Sequence, residues 1–296
     1  MANTLSIPQS RSLFQKIHRR LRSISYQARG MLSTFSWPQK IRFLVLCLRY
    51  AKSVIKTDRF LTVDEHMSKT IDKLDINVHG ISVLVPFKEM EEELNKTWND
   101  GASLEMVREL FGNNEYVRKF KRGLVADVAF DIGSNRGFFP LVASALLKSK
   151  KIICVEPQKE LEPVRRLLTK ANQISQDNLI EYNLFCSCQN SKNSISVNQI
   201  MKENNLDKID FLKMDVEGAE ADIFSDHLEW LDHCKNISME IHYGMAKVGF
   251  IPDLLRSKGF QCILTNLSGQ PISEKLTASL PRGCAYLYAS SDGQLI

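Results

Sequence analysis

The sequence predicts an α/β protein: a doubly wound, mostly parallel sheet with a basic helical extension at its N-terminus. Three observations predict it. From Val125 onward, short apolar runs alternate with helical patterns. The last two strand-like runs have no helix between them. The first 60 residues are charged quite differently from the rest.

The chain has 296 residues, 44% hydrophobic and 25% charged, which suits a globular protein of one large domain plus an extension. Its net charge of +5 is unevenly spread. Residues 1–60 carry 12 Lys/Arg and a single acid, Asp58, a balance of +11, and the remainder balances at −6. The division expected is a basic helical extension over 1–72 and one α/β domain over 73–296.

Residues 9–29 read as a two-faced helix. Leu13, Ile17, Leu21 and Ile24 recur at helical spacing with Phe14 beside them, opposite Arg11, Lys16, Arg19, Arg22 and Arg29. After a Trp37-Pro38 break, a second helix is expected over 39–56, with Leu44, Leu48, Ala51 and Ile55 on one stripe. Three readings of this head stand side by side. It docks on an anionic membrane surface or acidic polymer, it packs on the body with its charges solvated, or it is an organellar targeting segment. The longest apolar run, Phe43 to Leu48, has six residues, far short of the ~20 that span a bilayer. No apolar segment of the secretory kind follows the N-terminus. The expected location is the cytoplasm, with peripheral attachment to the inner face of a membrane as an extension of that reading.

Residues 75–86 predict a β-hairpin turning at His79-Gly80, and a helix is expected over about 102–121. Strands follow at 126–131, 151–156, 179–184, 208–214 and 236–241, alternating with helices at 135–149, 158–172, 197–204, 217–230 and 244–258. The runs at 260–265 and 283–290 are joined by a turn, so the last strand is expected to enter antiparallel. Seven cysteines lack the paired spacing of a zinc site, since Cys186 and Cys188 form C-x-C, and no metal site is expected.

In such a sheet, ligands bind beyond the C-terminal ends of the strands. The first strand runs into Asp131, Gly133, Ser134, Asn135 and Gly137. The glycines permit a tight turn, and the following helix start offers free N–H groups to an anion. A dinucleotide site prefers G-x-G-x-x-G, whereas here the spacing is G-x-x-x-G with an Asp ahead of it. A carboxylate there repels a pyrophosphate but suits a cationic ligand such as S-adenosylmethionine, with its amino group and sulfonium. Glu156 ends the second strand, where an acid can accept hydrogen bonds from two ribose hydroxyls. The fourth strand ends "IDFLKMDVEGAE", placing Asp215 over the site and Glu217 and Glu220 at a helix start, where Glu220 is expected to serve the helix dipole. The fifth ends "SMEIHYG", with Glu240 and His242 on one side of the strand. Asp215 and His242 are the candidate bases for proton transfer.

The segments "FDIGSNRGFF", "CVEPQ", "IDFLKMDVEGAE" and "MEIHYG" resemble the FkbM-type family of S-adenosylmethionine-dependent methyltransferases over about residues 125–245. The resemblance implies a Rossmann-like class I methyltransferase fold, with a seven-stranded sheet whose last strand is antiparallel. It implies methyl transfer, most often to oxygen, on sugars, glycolipids or natural products. It assigns Asp131, Gly133, Ser134, Asn135 and Gly137 to the cofactor loop and Glu156 to the ribose. Asp215 and Glu217 match its D-V-E-G, and Glu240 with His242 its E-I-H. Ser134 stands where the family commonly has Ala. Where the family has an A-x-S-D type turn this chain reads "LFCSCQ", leaving Phe185 and Cys186 as candidates for the adenine. Competing readings are an NAD-dependent oxidoreductase, disfavoured by the glycine spacing, and a membrane-associated scaffold without turnover. Nucleic acid is a disfavoured partner, because the head has few aromatic residues for base stacking.

Overall fold

The computed structural model describes residues 13–57, 60–78, 80–97, 104–244, 247–273 and 283–296. Side chains at 13–20, 22, 23 and 97 are outside that description. Leu13, Phe14, Ile17, Lys16, Arg19 and Arg22 of the expected two-faced helix therefore lie outside it, as do Arg11 and His79.

The head is helical throughout its described part: α1 (Leu13–Thr34), α2 (Trp37–Arg49), α3 (Ala51–Thr57) and α4 (Leu61–Ser68). A capping box starts α2, with the Ser36 N–H donating to Gln39 Oε1 at 2.9 Å, and Pro38 occupies its first turn. The helix expected over 39–56 is broken at Tyr50, and α4 was not expected. The expected stripe faces outward: Leu44, Leu48 and Ile55 are exposed, while Phe43 and Val54 are buried. The aromatic ring wins the core position, because Phe43 sits edge-on to Phe35 and 5.4 Å from the Phe60 ring.

The expected hairpin forms from β1 (Leu74–Val78) and β2 (Ile81–Val85), with Val78 paired to Ile81 and Gly80 at φ +87° just before β2. It leads to α5 (Phe87–Thr97), unforeseen in the sequence, and α6 (Leu104–Val107). The helix expected over 102–121 is cut short. It widens into a π turn at Arg108–Gly112 and ends where Asn114 takes a left-handed φ of 50°.

Then the alternation begins: β3 (Val128–Ile132), α7 (Phe138–Ala145), β4 (Lys151–Val155), α8 (Glu162–Ala171) and β5 (Leu179–Tyr182). A small parallel pair, β6 (Phe185–Cys186) and β7 (Ser194–Ile195), intervenes before α9 (Val197–Glu203). It resumes with β8 (Phe211–Met214), α10 (Glu220–Ile223), β9 (Asn236–His242), α11 (Ile251–Ser257), β10 (Gln261–Thr265) and β11 (Cys284–Ser290). Several helices are shorter than expected at the end nearest the site. The one predicted from 135 starts at Phe138, because Asn135 and Gly137 are left-handed. The one predicted over 217–230 shrinks to a single turn between Gly218 and His227, both at positive φ.

The seven-stranded sheet has the order β10-β11-β9-β8-β3-β4-β5. All neighbours are parallel except β11, which pairs antiparallel with both β9 and β10. Every residue of β3 and β8 is buried, the mark of a strand covered on both faces. One face carries α7, α8 and the head in a single core that runs from Met31 and Phe43 through Phe111 and Phe139 to Tyr288. The other face carries α9, α10 and α11 around Met201, Trp230 and Leu255. Among the described residues, no helix is long and apolar enough to cross a membrane.

Candidate active site

A cavity of about 270 Å³ opens at the C-terminal ends of β3, β4 and β8. Its floor is the loop after β3. Gly133 there has φ +76°, and a Cβ added to it would stand 1.8 Å from the Asp215 carbonyl oxygen. Only glycine lets the loops after β3 and β8 cross this closely. Three bonds fix the loop. Ser134 Oγ donates to the Asp131 carbonyl at 2.7 Å, Lys213 Nζ to the Gly133 carbonyl at 2.6 Å, and Arg165 to the Asn135 carbonyl at 3.0 Å. Arg165 is itself fully buried, bonded to Glu181 and Asn183 and packed against Gly137.

Asp131 is placed differently from expectation. It is fully buried on the sheet face it shares with Ala129, 3.0 Å from Lys213 Nζ, and does not line the cavity. Burial alone would lower the Lys213 pKa, but Asp131 and Asp215 raise it, so the ammonium stays charged. That charge answers Asp131 from inside the protein, where the sequence reading supplied a cationic ligand instead. Gly137 likewise lies outside the lining, behind Arg165.

Glu156 closes one wall. Its two oxygens accept the N–H of Asn135 at 2.8 Å and of Gln158 at 3.0 Å, which fixes the carboxylate at the cavity. Each oxygen keeps a lone pair for a further donor, as a ribose diol requires. Phe185, 60% exposed, and the buried Cys186 stand on the same cavity with Asn135 and Pro157, the arrangement a flat base needs. Replacing Glu156 with Ala is expected to weaken S-adenosylmethionine binding by ~1–3 kcal/mol with the fold retained. Calorimetric titration checks it, and an unchanged dissociation constant would remove Glu156 from the site.

The far wall carries the acids. Asp215 Oδ2 accepts the phenol proton of Tyr116 at 2.9 Å, while Oδ1, also buried, has no hydrogen-bond partner. Tyr116 is fully buried, and burial together with Asp215 holds its pKa well above 10. It is therefore a fixed donor. Glu217 also lines the cavity, its backbone left-handed at φ 50° and its side chain exposed. His242 stands behind it, buried, with Nε2 3.4 Å from Glu217 and 4.0 Å from Glu240. Its Nδ1 is 2.5 Å from Glu220, which is fully buried and so orients the imidazole rather than merely serving a helix dipole. Burial would depress the His242 pKa, but the Glu220 bond and the charges of Glu220, Glu240 and Asp215 raise it from 6.5 to about 9. Glu240 is raised to about 8, chiefly by burial and by Asp215. Neither His242 nor Glu240 lines the cavity directly. Asp215, Glu217 and His242 bring donor atoms within 4.8 Å of one another, a spacing that a divalent cation could also accept.

The cavity thus unites Gly133, Ser134, Asn135, Glu156, Phe185, Cys186, Asp215 and Glu217. Sequence reading missed Tyr116, Lys213, Arg165 and the role of Glu220. Of these, only Lys213, two residues before Asp215 in a buried strand, left a local signal: a charge in an apolar run.

A reversed β11 between β9 and β10, with β3 between β8 and β4, is the strand order of the class I methyltransferase fold. Residues 189–262 match the family model of the methyltransferase FkbM domain, whose members use S-adenosylmethionine. No curated protein matches the chain. Among solved structures, the fold is similar to an rRNA methylase from Streptococcus thermophilus, at 10% identity over 60% of this chain and 92% of that one, TM-score 0.40. It is also similar to precorrin-6y C5,15-methyltransferase from Geobacter metallireducens, at 12% identity over 60% and 83% of the two chains, TM-score 0.36. Strand order gives the Rossmann-like class I methyltransferase fold, and the match over residues 189–262 is to the domain of an S-adenosylmethionine-dependent methyltransferase family.

Proposed function

We propose that the protein methylates a hydroxyl oxygen on a carbohydrate, a glycolipid or a natural product, with Asp215 as the base. The observation that carries this reading is the Asp215 carboxylate, one oxygen held by Tyr116 and the other buried without a partner at the cavity wall. A buried acceptor left unmet costs free energy that a bound hydroxyl or ammonium would recover. The donor set fits S-adenosylmethionine: Glu156 for the ribose, Phe185 and Cys186 for the base, and the loop at Ser134 and Asn135 beneath them. When bound, the cofactor supplies a methyl group on a sulfonium, already activated for transfer. The chain's task is to hold the acceptor oxygen in line and take its proton. Asp215 can accept that proton at Oδ1, with Tyr116 keeping the carboxylate in place. His242, protonated near neutral pH by its acid neighbours, serves to offset the charge of Glu220 and Glu217 rather than to remove a proton.

The test is mass-spectrometric detection of transfer from methyl-labelled S-adenosylmethionine into glycan, lipid and small-molecule pools. Label in a glycan or glycolipid ether is expected. Label found only in nucleic acid or in nitrogen-linked methyl groups would overturn the oxygen assignment.

A further inference from the structure

Helix α2 is amphipathic in an unusual sense, because it has an apolar side in the core and a second one in water. Phe43 is its one fully buried residue. On the outward side, Trp37 is 73% and Leu48 79% exposed, and Ile41, Leu44 and Val45 are exposed with them. At ~100° per residue, these five fall within one arc of about 100°, a continuous stripe along the helix. Single exposed hydrophobes are ordinary on a protein surface, but five aligned on one 13-residue helix are a patch.

The charges carried by α2 and α3 themselves have one sign. From Ser36 to Thr57 there are five basic residues, Lys40, Arg42, Arg49, Lys52 and Lys56, and no acid. Lys40 falls on one flank of the stripe, and Arg42 and Arg49 on the other. The Arg42 guanidinium donates to the Thr70 carbonyl at 3.2 Å, which pins α2 to the end of α4 with its stripe outward.

We propose that α2 lies flat on an anionic lipid bilayer, its stripe Trp37–Ile41–Leu44–Val45–Leu48 inserted among the headgroups and its flanking cations on the lipid phosphates. The helix rises only about 20 Å, short of the ~30 Å hydrocarbon layer, so it rests in the interface and does not span it. Apolar burial and headgroup attraction favour adsorption together. A second copy of the chain is the poorer occupant. A two-fold interface would bring the same patch, and the same +11 head, face to face. The docking stands independently of the methyl acceptor, although a lipid-linked acceptor would then be met on the surface where the protein resides.

The test is co-sedimentation of the full chain with phosphatidylcholine vesicles, with and without phosphatidylserine, at low and at high salt. Binding is expected only with phosphatidylserine and should weaken at high salt. Trp37→Ser combined with Leu48→Gln should lower the bound-to-free ratio ~10-fold or more. Lys40→Glu combined with Arg49→Glu should abolish the preference for phosphatidylserine. Titration with S-adenosylmethionine confirms that each variant is folded, since none of these side chains is near the cavity lining. Equal sedimentation of wild type and both variants would overturn the proposal. So would self-association of the wild type that the Trp37/Leu48 variant abolishes, or binding to a soluble acidic protein without binding to vesicles.

Discussion

Replacing Asp215 with Asn is expected to cut turnover ~10²–10⁴-fold while S-adenosylmethionine affinity changes by no more than a few-fold. The amide preserves the shape of the side chain and its bond to Tyr116 but cannot take a proton. Single-turnover rates on the identified acceptor, paired with cofactor titration, separate the two effects. The pH dependence distinguishes Asp215 from its neighbour. If His242 were the base, its neutral form would be scarce at pH 7, and the rate would climb tenfold per unit toward pH 9. With Asp215 as base, His242→Ala is the milder change of the two. A steep climb that His242→Ala removes would transfer the role to the histidine. Stability carries a related signature. His242 rises from 6.5 to about 9, so its contribution is complete below pH 6.5 and lost as pH passes 9. Glu240, raised from 4.5 to about 8, binds its proton more tightly in the folded state, so it too favours folding less as pH rises through that window. Both signs agree, and the melting temperature should fall between about pH 6.5 and 9.

Gly133→Ala is expected to be the most damaging small substitution in the chain, costing ~4 kcal/mol or more and abolishing cofactor binding. The added methyl meets the Asp215 carbonyl, a backbone atom that no rotamer change can move aside. Relief requires the loops after β3 and β8 to separate, which takes Ser134 away from Asp215. Gly80→Ala is the control. It has a similar left-handed φ of +87° but nothing within 4 Å of the new atom, so it should cost only ~1–2 kcal/mol. Denaturant unfolding of the two variants decides the matter. Equal losses would mean that the close approach is not what Gly133 serves.

The sheet was legible because its strands are short apolar runs that end in polar residues, and those ends are where the site forms. Glu156 and Asp215 could be named for that reason. Helix ends were not legible wherever a residue other than glycine turns left-handed. Asn135, Glu217 and His227 do so under tertiary constraint, and although Asn and His tolerate that conformation more readily than most, identity alone does not require it. Partners distant in sequence were equally hidden. Asp131 reads as a ligand carboxylate until Lys213, 82 positions on, is seen 3.0 Å away. Tyr116 lies 99 residues before the Asp215 it holds, and Glu220 22 before the His242 it orients. The outward stripe of α2 followed the expected helical spacing, but which side faced the core depended on where Phe35 and Phe60 placed Phe43.

The π turn at Arg108–Gly112 joins the head to the chemistry. Glu109 and Leu110 of that turn line the cavity. Its Arg108 is buried against Asp64 of α4 at 2.8 Å, and its Gly112 touches the backbone of Gly30 in α1 so closely that a Cβ there would stand 2.7 Å from the Gly30 carbonyl carbon. A hybrid enzyme made by grafting the sheet onto a foreign leader at residue 73 would therefore strip Arg108, next to the cavity-lining Glu109, of its closest buried acid. It would leave the guanidinium only Glu105 at 4.0 Å, at a cost of up to ~3–5 kcal/mol. Shuffling this fold between relatives has to treat Asp64 and Arg108, with Gly30 and Gly112, as a single exchangeable cassette.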